Sequence, residues 1–141
     1  MQIETNFYTI AVYTSICHVT VYSSWDERVM EDYIKHRTGV VSNLYTGKKW
    51  AILMDMREWT LHAPDAEKTI TQIIKRTFFQ KPSNYAVIVG KSEIKKWQVN
   101  KSFTETDKVH IKYFETLDEG KSWLTSLGYK MTPLDTPKND L

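Results

Sequence analysis

Asp55, Arg57, Trp59 and His62 follow one another at the end of an apolar run. A carboxylate, a guanidinium and an imidazole at such a place could hold an anion or move a proton. In parallel α/β sheets, ligands gather beyond the carboxyl ends of the strands, where these four residues would stand as candidate ligand- or partner-binding groups. The plainer alternative is an Asp–Arg pair beside a solvated histidine. It is favoured because no nucleophile with a spaced base accompanies them. No catalytic residue is therefore assigned.

Three other constellations are weaker. Gly90-Lys91-Ser92 sits where a strand gives way to a helix, but a phosphate loop needs a glycine five residues before the Gly-Lys pair, and Tyr85 stands there. A single anion on the free amides near Ser92 remains as an option, against an ordinary helix cap. His18, His36, His62 and His110 lack the spacing of a metal motif, so no metal site is expected. Lys91, Lys95, Lys96 and Lys101, interleaved with Trp97 and Phe103, resemble a nucleic-acid surface in composition. Ile94 and Trp97 fall at core spacing, however, so the lysines are read as the solvated helix face.

Bulk properties narrow the class. The chain has 141 residues, 41% hydrophobic and 26% charged, enough for one domain with a real core. A net charge of +2 gives no reason to expect nucleic acid as a partner. Cys17 is the only cysteine, which excludes an internal disulfide and suits a reducing compartment. Purely apolar runs such as residues 51–54 are far too short to span a bilayer, so no integral membrane association is expected. The polar start resembles no signal peptide, and a cytoplasmic, soluble protein is expected. No pattern asks for a cofactor.

The elements that must position these residues follow from periodicity. Residues 7–12 and 16–22 alternate with period two and predict a hairpin. Ser24 and Glu27 predict a capping box for a first helix with a stripe of Val29, Met30, Tyr33 and Ile34, ended or interrupted at Gly39. Residues 50–56 form a nearly continuous apolar strand, as in the centre of a parallel sheet. A second helix is predicted over 64–80, a strand over 85–89, and a third helix capped by Ser92. A strand over 109–114 follows. A last helix has a Thr116/Glu119 capping box, carries Trp123, Leu124 and Leu127 inward, and stops at Gly128. The class is α/β, in the order β-β-α-β-α-β-α-β-α: an N-terminal hairpin, a five-stranded, mostly parallel sheet and four helices. Residues 1–129 form the domain, and 130–141 read as a loose tail. If right-handed crossovers step along the sheet one way, their helices share one face. The other then shows mixed side chains such as His18, Thr20 and Tyr22, or His110, Lys112 and Phe114.

This order resembles the anti-sigma-factor-antagonist, or STAS, fold over residues 5–129. Trp50-Ala51-Ile52-Leu53-Met54-Asp55-Met56-Arg57 looks like the family's central strand. Tyr113-Phe114-Glu115-Thr116-Leu117-Asp118-Glu119-Gly120-Lys121-Ser122-Trp123-Leu124 looks like its last strand and helix. The likeness is greatest to a standalone bacterial branch of unassigned function, which is also compared with CRAL-TRIO lipid-binding domains. In switchable members a serine at the start of the helix after the central strand is phosphorylated. Counted from Asp55, that position is Asp65, and the nearest hydroxyl is Thr60. The resemblance thus implies a non-catalytic protein-interaction or regulatory domain without the phosphoserine switch, whose partner is another protein or a second copy of itself. The CRAL-TRIO comparison implies the alternative, a carrier of a small lipophilic ligand, which needs a cavity of about 300 Å³ or more. An enzyme using Asp55, Arg57 and His62 is the remotest reading.

Overall fold

In the computed structural model, which describes residues 2–60, 65–103 and 110–134, the chain opens on a short edge strand, β1 (Gln2–Glu4). It is a sixth strand, where five were expected. Three residues with two polar ends carry no readable period, and β1 exists because β2 (Tyr8–Val12) presents an unpaired edge to it. β2 and β3 (Ile16–Ser23) form the predicted hairpin, with Ile10 opposite Val19 and Val12 opposite Cys17.

Helix α1 (Glu27–Leu44) starts later than the Ser24 capping box requires. Its cap is Asp26, whose carboxylate accepts from the Val29 amide at 2.9 Å. Trp25 packs against Tyr33 and Trp59, with ring centres 5.0 and 5.5 Å apart, so the next residue is the one that turns into the helix. Gly39 does not break α1. A mid-helix glycine costs about 1 kcal/mol, and burial of Val40, Val41 and Tyr45 beyond it outweighs that. At the far end the Tyr45 hydroxyl donates to the Tyr13 and Ile16 carbonyls, while its ring stacks on Trp50 at 5.1 Å. At the near end the Tyr8 hydroxyl donates to Asp32.

β4 (Ala51–Trp59) is the central strand and runs parallel to β3. α2 (Asp65–Arg76) follows, with a separate 3-10 turn over Phe78–Gln80, so the second helix is shorter than 64–80. β5 (Asn84–Ile88), α3 (Glu93–Phe103), β6 (His110–Phe114) and α4 (Leu117–Ser126) complete the chain. The sheet order is β1-β2-β3-β4-β5-β6, with β3 to β6 parallel and the first two strands antiparallel to their neighbours.

Because every crossover steps the same way, α1, α2 and α3 stand on one sheet face. Their core joins Tyr33, Ile34, Ile70, Ile73 and Val99 to Val19, Ile52 and Val87. α4 goes to the other face and packs on β4, β5 and β6 around Leu53, Ile88 and Leu124. It approaches closely at Gly120, where a Cβ would lie 2.5 Å from Ile88 Cδ1. The Thr116/Glu119 capping box is present, and Gly128 turns the chain at φ +99°. Leu127, expected inside, is exposed, and Trp123 is only partly covered. The segment read as a loose tail is tied down over residues 130–134. The Lys130 and Thr132 carbonyls accept from Ser15 and Thr14, and Pro133 bridges to Tyr13.

The third helix departs most from expectation. Ser92 caps it, but Ile94 and Trp97 point to solvent, 71% and 59% exposed. Lys95, Gln98 and Val99 face inward instead. The phase is set from outside the helix. The Lys95 ammonium donates to the carbonyls of Met56 and Arg57 at the end of β4, and Val99 fills the core beside it.

Candidate functional site

Asp55 ends the apolar part of β4 and is buried. Strand alternation puts Arg57 on the same side, two residues on. Its guanidinium grips the carboxylate with two bonds, Nε to Oδ1 at 2.9 Å and Nη2 to Oδ2 at 2.7 Å, and its amide adds a third at 3.1 Å. Burial alone would raise the Asp55 pKa, but these bonds hold it below the ordinary carboxylate value. Both oxygens are engaged, so the pair already satisfies itself. Trp59 does not join them. It is a core residue, 5% exposed, on the helix-layer side. His62 and the side chain of Asp65 lie outside the described residues, although α2 does open at Asp65. Of the four sequence candidates, the structure brings together Asp55 and Arg57.

The Ser92 helix start borders a surface groove at the carboxyl ends of β5 and β6, shared by Glu93, Glu115, Glu119 and Lys96. Three carboxylates against one ammonium disfavour an anion there, and the Ser92 hydroxyl is occupied as the cap for Lys95. His18 and His110 do share a sheet face, with Leu53 and Asn84 on the strands between them. Thr9, Ala11, His18, Thr20 and Tyr22 on this face remain partly exposed, while α4 covers the other half. Among the described residues, no cluster of His, Cys, Asp or Glu could hold a metal, and no helix is long and apolar enough to cross a membrane.

The sequence reading missed a cavity beneath α2. A partly open space of about 50 Å³ lies between the helix layer and the sheet, lined by Met54, Met56, Ile70, Ile73, Val87 and Trp59 among others. Met54, in mid-strand, is only partly covered because it faces this space. Arg37 of α1 also lines it and is 1% exposed. Its Nη atoms donate to the Tyr85 hydroxyl at 2.9 Å and the Tyr33 hydroxyl at 3.4 Å. Burial opposes its charge and the two hydroxyls favour it, with a net upward shift. The signal was available: position 37 continues the inward stripe of Met30, Tyr33 and Ile34, and a charge on that stripe needs a reason. Cys17, beneath the same helix, is fully buried. Burial pushes its thiol up to about 12, so it is no thiolate nucleophile at neutral pH.

Two groups on the α4 side couple stability to pH. Burial lowers the His18 pKa below its ordinary value, and Asp55 is lowered as above. As pH falls below about 6.5, the unfolded chain takes up a proton at His18 that the folded chain refuses. Stability therefore declines until the folded His18 titrates. A second decline begins near pH 4, where the unfolded Asp55 protonates before the folded one. Urea midpoints between pH 8 and pH 3 should show both stages, and H18Q should remove the first. An unchanged first stage in H18Q would assign it to another group.

No protein-family model matches the sequence, and no curated protein matches it. Among solved structures, the chain is similar to an uncharacterised protein of the DUF3478 family with a SpoIIAA-like fold from Shewanella loihica PV-4. The identity is 18% and the TM-score 0.62, over 88% of this chain and 98% of that one. At that identity the likeness carries the fold: hairpin, parallel strands and helix layer stand in the SpoIIAA-like, or STAS, arrangement.

Proposed function

We propose that this chain is a non-catalytic, regulatory protein-interaction domain, and that its docking face is the outer side of α3. The carrying observation is the pair Ile94 and Trp97, large apolar side chains 71% and 59% exposed one turn apart. Burying such side chains is worth about 1.5–3 kcal/mol each, and tryptophan is enriched among interface anchors. Exposed Lys91, Lys96 and Lys101 flank them, with the Lys101 ammonium 5.0 Å from the Trp97 ring centre. An apolar centre with a basic rim fits a partner protein that offers an apolar knob in an acidic surround. The phosphoserine switch has no part in this reading, because Asp65 occupies the corresponding position. A lipid-sized ligand is not favoured, since about 50 Å³ is far below the roughly 300 Å³ such a carrier needs.

The I94S/W97A double variant removes exposed groups only and should fold with little change in stability. The wild-type chain and the variant, immobilised side by side, should differ at least tenfold in capture of a specific protein from an extract of the native host. Equal capture would remove α3 as the docking face. A wild-type dimer that the variant dissociates, seen by light scattering, would make a second copy the occupant and displace the acidic partner.

A further inference from the structure

Helix α3 is packed inside out. Its large apolar side chains Ile94 and Trp97 face solvent, while Lys95 and Gln98 lie inward beside Val99. Successive helical residues stand about 100° apart. A turn by one residue would therefore carry Ile94 to the place of Lys95 and Trp97 to the buried place of Gln98. Gln98 would stay inside, and Val99 would come out to the exposed place of Asn100. Two large apolar side chains would enter and one smaller one would leave, which burial by itself favours. The side they would enter is apolar, since Val99 borders the space beneath α2 with Ile70, Ile73 and Ile74.

A specific contact must hold α3 in the phase that exposes Ile94 and Trp97. The Lys95 ammonium donates to the Met56 carbonyl at 3.0 Å and the Arg57 carbonyl at 2.8 Å. Bonds from a charged donor are about twice as strong as neutral ones. The same turn would move Lys95 to the solvent-facing place of Lys96 and break both. The bond from the Tyr113 hydroxyl to Asn100 would break as well, but at 3.3 Å and exposed it is the weaker tie. Gly90, at φ +65°, stands between β5 and α3, where a pivot needs backbone freedom. We propose that Lys95 is the positioning residue of the docking face: α3 has two packed phases, and the Lys95 clamp selects the one that displays Ile94 and Trp97. This rests on the docking reading of α3 and adds its control. A partner seated on Ile94 and Trp97 binds the displayed phase and favours it, and loss of the clamp withdraws the face.

The phase is read by thiol labelling of V99C, because Val99 is 1% exposed and the native Cys17 is fully buried. K95E removes the donors and sets a negative group against two carbonyl oxygens. K95S removes the donors alone, and K95R keeps both donors and charge. V99C/K95E should label at least tenfold faster than V99C. Acrylamide quenching of Trp97, taken as the difference from the matching W97F chain, should fall several-fold at the same time. V99C/K95S should shift the same way, and V99C/K95R should behave as V99C. Fast labelling with undiminished Trp97 quenching would mean that α3 has come loose rather than turned, and would overturn the proposal. Labelling of the K95S chain as slow as that of V99C would overturn it too, whether or not K95E folds. Equal capture by I94S/W97A would remove the docking reading, whereas labelling and quenching bear on the clamp alone.

Discussion

Replacing Leu124 by alanine should lower the unfolding free energy by about 2–5 kcal/mol, measured by urea denaturation with circular dichroism. Leu124 is fully buried and is the residue through which α4 grips Leu53 and Ile88. The range is wide because the cost depends on how far the site collapses. Collapse is restricted here on one side, since Gly120 already brings the α4 backbone against Ile88 and Leu53. A value near the upper end is expected. Trp123 lies on the same helix, and its ring sits 5.7 Å from Phe114, so tryptophan emission should shift with the loss. A change below 1 kcal/mol would mean that α4 contributes little and that the second sheet face does not need it.

Replacing Arg57 by leucine should cost about 2 kcal/mol at neutral pH. Removing one member of a buried ion pair costs about 3–5 kcal/mol, because the other charge is left in a poor solvent. The figure is reduced here because the Arg57 side chain is 44% exposed, so water shares in screening the pair, while Asp55 is only 9% exposed. The Asp55 carboxylate would keep the backbone amide of residue 57 and lose both guanidinium bonds. Its pKa would rise, since burial would no longer be offset. The deficit of R57L relative to the wild-type chain should therefore be largest above the raised value and shrink as pH falls through it, where Asp55 becomes neutral. D55N/R57L, with no charge left to bury, should recover much of the loss. A deficit that is the same at pH 7 and pH 4 would show that Arg57 acts by packing rather than by charge. This pattern separates a structural pair from a reactive one.

The hairpin, the three crossover helices and the last helix were legible because their signals are local. Alternation at residues 7–22, the apolar run of β4 and the Thr116/Glu119 box each depend on residues within a few positions of one another. The sharing of one face by α1, α2 and α3 followed from handedness alone. The first helix start was misplaced by the choice between two cap residues, Ser24 and Asp26, which Trp25 decides through contacts with Tyr33 and Trp59. For the candidate site, the pairing of Asp55 with Arg57 was readable from their spacing along a strand. The departure of Trp59 from their side was not, since a bulge between Thr20 and Tyr22 shifts the pairing register toward the end of β4.

Residue order by itself determined the succession of elements, the parallel sheet and the layer of helices, because burial period, caps and crossover handedness act over short stretches. Only the tertiary structure decided which side of α3 meets solvent, whether the N-terminal residues find an edge, and that Arg37 and Trp59 are buried with an N–H group left unpaired on each. Those outcomes depend on atoms far apart in the chain: the carbonyls that anchor Lys95, the free edge of β2, and the space left beneath α2. A helix phase or a missing acceptor is a property of the neighbours, and neighbours exist only once the chain has folded.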